Sequence, residues 1–133
     1  MAPNKDPIFV LKPVYGHAAI ATANAYRDGR GAMATLLTGT TDGTRITQVI
    51  CKATGTCTGG MLRFYVKDPL GVVTLISEVP VVAKTPSANA PTWGNVQVLS
   101  GDNAWILPNG CSLMVSTHKA ENFRVSVFGG AYS

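Results

Sequence analysis

Charge is scarce in this chain. Only 14% of its 133 residues are Asp, Glu, Lys or Arg, against about 25% in an ordinary soluble domain. The formal net charge of +4 comes from dispersed lysines and arginines. No basic run forms a polyanion-binding tail, so no nucleic-acid partner is expected. Cysteine is sparse as well. Cys51, Cys57 and Cys111 are odd in number and include no CxxC pair, so their spacing supports neither a disulfide framework nor a zinc site. The opening Met-Ala-Pro-Asn-Lys-Asp lacks the basic and apolar regions of a secretory signal. No apolar run approaches about 18 residues, so neither a membrane span nor a membrane partner is expected. These absences together predict a chain made and folded in a reducing cytoplasm.

Catalytic patterns are missing too. The aspartates, Asp6, Asp28, Asp42, Asp68 and Asp102, fall in turns or near the N-terminus, where Asp serves local hydrogen bonding. Glu78 and Glu121 are single acids in separate segments and do not read as a glycosidase pair. His17 and His118 match no ligand spacing with the cysteines. Cys111 and His118 are an odd number of residues apart on one extended segment, which puts them on opposite pleat faces. The Gly39–Gly43 turn lacks the Lys-Ser/Thr of a phosphate loop. Tyr65 between Arg63 and Lys67 reads as the solvated face of a strand, because no second aromatic stands in phase beside it. No catalytic residue, cofactor or metal is therefore predicted, and no enzyme.

What the chain does have is alternation. On Leu62–Lys67, Leu62, Phe64 and Val66 share one face, and Arg63, Tyr65 and Lys67 the other, the period of a half-buried strand. On the preceding segment Val49, Cys51 and Ala53 face one way, and Gln48, Ile50 and Lys52 the other. Ile46 is out of phase with Val49, which predicts a β-bulge near Thr47 and Gln48. The Gly- and Thr-rich stretch between the two segments predicts a hairpin over Thr44–Lys67. Further strands are predicted over 17–26, 32–38, 72–84, 92–99, 104–107, 111–118 and 123–128. Val73, Leu75, Val79 and Val81 share one phase and are predicted to face the core, with Pro80 marking an edge strand. The predicted core is Val49, Cys51, Leu62, Phe64, Leu75, Val79, Leu113, Val115, Phe123 and Val125. About eight strands separated by turn signals, with no convincing helix, predict an antiparallel β-sandwich or barrel.

The domain organisation predicted is an extended arm over 1–16 and a single sandwich over 17–133. Pro3, Pro7 and Pro13 make the arm a poor helix and a poor central strand. It nevertheless carries the apolar run Ile8, Phe9, Val10 and Leu11, which suits docking on a neighbour. Ile50 is apolar on an otherwise polar strand face. It joins Ile8–Leu11 as a candidate subunit or partner contact.

From about Gly39 to Tyr132 the sequence resembles a group of small structural proteins of tailed bacteriophages, similar to jelly-roll capsid decoration (cement) proteins. The resemblance is carried by Lys52-Ala-Thr-Gly-Thr, Glu78-Val-Pro-Val, Leu107-Pro-Asn-Gly, Ser116-Thr-His-Lys-Ala-Glu-Asn-Phe and Phe128-Gly-Gly. Cys51 and Cys57 depart from it, standing where the group has a branched apolar and a Thr-like residue. The resemblance implies a jelly-roll sandwich on the virion surface, binding the major capsid protein and stabilising the icosahedral head. It implies a homo-oligomer, a trimer at local threefold positions before a dimer at twofold positions. A head or tail fibre adaptor is the alternative within the virion. A carbohydrate-binding module is the alternative from another class, with Trp93, Trp105 and Tyr65 as stacking residues; buried tryptophans would remove it.

Overall fold

The structure, a computed structural model, describes residues 12–99 and 103–132. Nine strands run in order: β1 (Lys12–Ile20), β2 (Ala34–Thr38), β3 (Thr44–Ala53), β4 (Gly60–Lys67), β5 (Val73–Val81), β6 (Gly94–Val98), β7 (Trp105–Leu107), β8 (Ser112–Thr117) and β9 (Phe123–Ala131). They form two antiparallel sheets. One has the order β1-β9-β3-β6, with the short β7 also on β3, and the other β2-β8-β4-β5. The pairings β1·β9, β2·β8, β3·β6 and β4·β5 are those of a jelly roll, in which two Greek keys fold an antiparallel ribbon into a sandwich.

The core lies between the sheets, where the alternating faces meet. Ile46, Val49, Cys51, Val125 and Val127 project from one sheet onto Leu62, Phe64, Leu113 and Val115 of the other, all fully buried. Phe123 and Val79 are buried with them, and Leu36, Val81, Trp93 and Leu107 extend the same cluster. The bulge expected in β3 is present. The β3–β9 register shifts between Ile46 and Gln48, with Thr47 as the extra residue, so Ile46 and Val49 both turn inward.

Four expectations are corrected. Thr44–Lys67 is not a hairpin: β3 and β4 lie in different sheets. Their connection crosses between the layers, held by Cys57 to Lys84 in both directions and by Thr54 N–H to the Asn122 carbonyl. Leu75 is not in the core. The β4–β5 register shifts between Phe64 and Tyr65, leaving Ile76 as the extra residue on β5. The phase of β5 therefore inverts, and Val73 and Leu75 stand beside Lys67 and Tyr65 on the outer face while Val79 and Val81 stay inward. That outer face is not solvated. The 21–33 connection lies over it, and Arg63 and Tyr65 are 2% and 0% exposed. Tyr65 Oη donates to the Tyr26 carbonyl at 2.8 Å and Arg63 Nη1 to the Asn24 carbonyl at 3.2 Å. Finally, residues 12–16 are the first half of β1, an edge strand that accommodates Pro13. The sandwich thus begins by Lys12, and Ile8, Phe9, Val10 and Leu11 lie outside the described residues.

The 21–33 connection is organised by one side chain. Asn24 Nδ2 donates to the carbonyls of Arg30 and Ala32, both at 2.9 Å, and its Oδ1 accepts from Tyr26 N–H. Gly29 has a φ of +91°, and an added Cβ would come within 2.8 Å of Val73 Cβ. Both the left-handed backbone and the close approach require glycine there.

Candidate functional site

The outer face of the β1-β9-β3-β6 sheet is open. Strand register arranges its outward residues in cross-strand rows. One row runs Tyr15, Phe128, Gln48, Val98; the next runs His17, Ser126, Ile50, Val96; a third runs Ala19, Arg124, Lys52, Gly94. Ile106 of β7 stands above the first row, beside Arg45. Val98 is 69% exposed, Ile106 58%, Tyr15 56%, Val96 55% and Phe128 40%. Ile50 sits among them half-buried. The Tyr15 and Phe128 rings are 4.9 Å apart, and Tyr15 stacks on His17 at 5.3 Å.

Strand β6 carries this surface by an inversion of its amphipathic pattern. Val96 and Val98 point outward, whereas Asn95 and Gln97 are paired with the inward Cys51 and Val49. The carbonyl oxygens Asn95 Oδ1 and Gln97 Oε1 are buried there without a hydrogen-bond partner. A strand evolved only to close its own sandwich would place the valines inward. Among the described residues the charges on the strands of this face are of one sign, including Arg45, Lys52 and Arg124, the last two adjacent across β3 and β9, with no carboxylate on β1, β3, β6, β7 or β9. An apolar patch rimmed by polar groups is the usual form of an interaction surface.

The other residues considered for chemistry are dispersed. His17 is on the outer face of one sheet and His118 follows β8 in the other, while Cys51, Cys57 and Cys111 are free and buried. Among the described residues no three of His, Cys, Asp and Glu come together to hold a metal ion. Burial pushes the Cys51 thiol up to about 12, so it is a protonated core group. Glu78 is engaged by Arg27 at 3.1 Å and Arg63 at 3.4 Å, and Glu121 Oε2 accepts from Thr58 N–H at 2.8 Å. The two glutamates serve separate structural contacts. The aromatic residues proposed for sugar stacking are withdrawn from solvent. Trp93 is 6% exposed and packs edge-on against Phe123, Trp105 lies half-buried 6.1 Å from Phe64, and Tyr65 is covered. Trp93 and Tyr65 therefore have no face free to stack on a sugar ring, and Trp105 presents only part of one.

Of the candidate contacts read from sequence, Ile50 lies in the middle of the open face. Its neighbours Val96, Val98, Ile106, Tyr15 and Phe128 were missed. The available signal was the polar-apolar alternation of Asn95–Val98, whose inward side is the polar one. No protein-family model matches this sequence, and no curated protein is found to be similar to it.

Proposed function

We propose that this protein is a virion structural subunit, a decoration protein that docks on the outer surface of a tailed-phage head through the open face of its β1-β9-β3-β6 sheet and stabilises the shell. The observation that carries the reading is the inverted pattern of β6, which presents Val96 and Val98 around Ile50. The resemblance of 39–132 to jelly-roll decoration proteins supplies the partner, the major capsid protein. The single sign of charge on the face favours that partner over a second copy. Two such faces brought together would bring in only further cations, with no carboxylate on their strands to pair Lys52 and Arg124, whereas a capsid surface with an acidic rim complements them. Trimers about local threefold axes, with Ile8–Leu11 as the grip between subunits or on the shell, belong to the same proposal.

Co-sedimentation of the chain with capsids tests it. Burying a valine side chain is worth about 1.5–3 kcal/mol. An aspartate at the same place also brings a charge that must be desolvated. Val98→Asp is expected to leave a folded sandwich, because Val98 is at the surface, and to lower capsid occupancy at least tenfold. Equal occupancy by the variant and wild type would overturn this docking face.

A further inference from the structure

On the opposite side of the sandwich the 21–33 connection stops short of covering the whole sheet. Where β4 begins and β8 ends it leaves an open cleft of about 410 Å³. Arg27, Arg63, His118 and Lys119 line it, and no carboxylate does. Arg63 forms the deep end, its side chain 3% exposed. Arg27 and Lys119 stand at the solvent side.

The cation pairing is incomplete. Arg27 and Arg63 share one carboxylate, Glu78, and each reaches it through Nε, at 3.1 and 3.4 Å. Arg63 also gives Nη1 to the Asn24 carbonyl. Among the described residues the terminal nitrogens of Arg27 make no hydrogen bond, and the Lys119 ammonium has neither a hydrogen-bonded nor an ionic partner. Three permanent cations face one ion-paired carboxylate, Glu78, while Glu121, two residues from Lys119, is held by Thr58 N–H and Oγ1, so the cleft lining keeps a net positive charge. His118 adds a ring nitrogen, Nδ1, that is buried without a partner. Its backbone N–H is fixed on the Met61 carbonyl at 2.9 Å, which anchors the residue beside the cleft.

We propose that this cleft is a binding site for a phosphate dianion, free or as a phosphomonoester. A net positive lining suits the dianion, the main form at pH 7.5 of a phosphomonoester, whose second pKa is about 6, and of free phosphate. Donors on separate elements, Arg27 on the 21–33 connection, Arg63 on β4 and Lys119 after β8, suit a tetrahedral anion. A planar carboxylate is already satisfied by one guanidinium fork. The cleft is larger than a phosphate ion, which leaves room for the organic part of an ester. The proposal is independent of capsid docking, since it lies on the other sheet.

Calorimetric titration of the full chain at pH 7.5 and constant ionic strength, with inorganic phosphate and with glycerol phosphate, tests it. Saturable binding is expected, at least tenfold tighter than for acetate or dimethyl phosphate. Lys119→Gln and Arg27→Gln, both altered at exposed side chains, are each expected to weaken it about tenfold, while Val98→Asp leaves it unchanged. Tighter binding of the ester places its organic part in the cleft. Tighter binding of inorganic phosphate assigns a free-anion site, and either result upholds the proposal. No saturable binding, acetate equal to phosphate, or unchanged affinity in both glutamine variants would overturn it.

Discussion

Cys51 stands at the centre of the β3 inner face with no solvent exposure. Desolvation alone holds its thiol protonated, up to about 12 from an ordinary 9.0. Because the folded value is the raised one, the resulting stability is complete below the unfolded value and is lost as pH rises toward the folded one. Between pH 9 and pH 12 the unfolded chain binds fewer protons than the folded chain, at a cost near 1.4 kcal/mol per unit of pKa difference. Cys51→Val keeps a small apolar side chain and is expected to change stability at pH 7 by less than about 1.5 kcal/mol. In urea titrations across the alkaline range, wild type should lose stability relative to Cys51→Val from pH 9 upward, with Cys57 and Cys111 common to both. Parallel pH profiles would show that Cys51 does not titrate with unfolding. At this scale the sequence was informative: alternation alone placed Cys51, Phe64 and Val115 inside. It was uninformative for Arg63 and Tyr65, because what buries them is a connection whose path has no periodic signature.

Most strands were legible as strands, although the one expected over 17–26 is instead Lys12–Ile20 with 21–26 in the connection, and their partners were much less legible. A period of two is the same whether β3 and β4 pair or lie in separate sheets, so the supposed hairpin and the observed crossover predict the same alternation. Bulges divide in the same way. The one at Thr47 was legible because Ile46 and Val49 are both apolar at an odd separation. The one at Ile76 was hidden because Val73 and Leu75 are in phase with Val79 and Val81 as written. At the Thr47 bulge β9 comes very close to β3. Gly129 is paired with Ile46, and an added Cβ would overlap the Arg45 carbonyl oxygen. Gly129→Ala must therefore push the two strands apart, and about 1–3 kcal/mol of destabilisation is expected from overpacking. Gly55, with nothing within 4 Å of its added Cβ, provides the control. Urea midpoints should fall clearly for Gly129→Ala and hardly at all for Gly55→Ala. Equal midpoints for Gly129→Ala and wild type would mean that β3 and β9 can separate freely at this point.

At the scale of the whole molecule the two outer faces differ in kind. One is partly roofed by the 21–33 connection, which leaves a cationic cleft beside it; the other is bare, apolar at its centre and cationic at Lys52 and Arg124. Ile50 was legible as part of the bare face because it breaks the pattern of its own strand. The remainder came from β1, β6, β7 and β9, far apart in the chain and joined only by sheet order. Such a face should bind by two separable contributions. The apolar centre is insensitive to salt, whereas exposed charges are screened beyond roughly 8 Å at physiological ionic strength. Charge at the rim acts mainly on the rate of encounter. Association with capsids is therefore expected to slow severalfold as salt is raised from low to physiological concentration, with a smaller effect on dissociation. Lys52→Glu should slow it further at low salt and flatten the salt dependence, because the new carboxylate offsets Arg124, while Val98→Asp should act mostly on dissociation. Stopped-flow or surface-binding kinetics on immobilised capsids separate the two. If Lys52→Glu associates at the wild-type rate at every salt concentration, the cationic rim takes no part in docking, and the partner's contact surface need not be acidic.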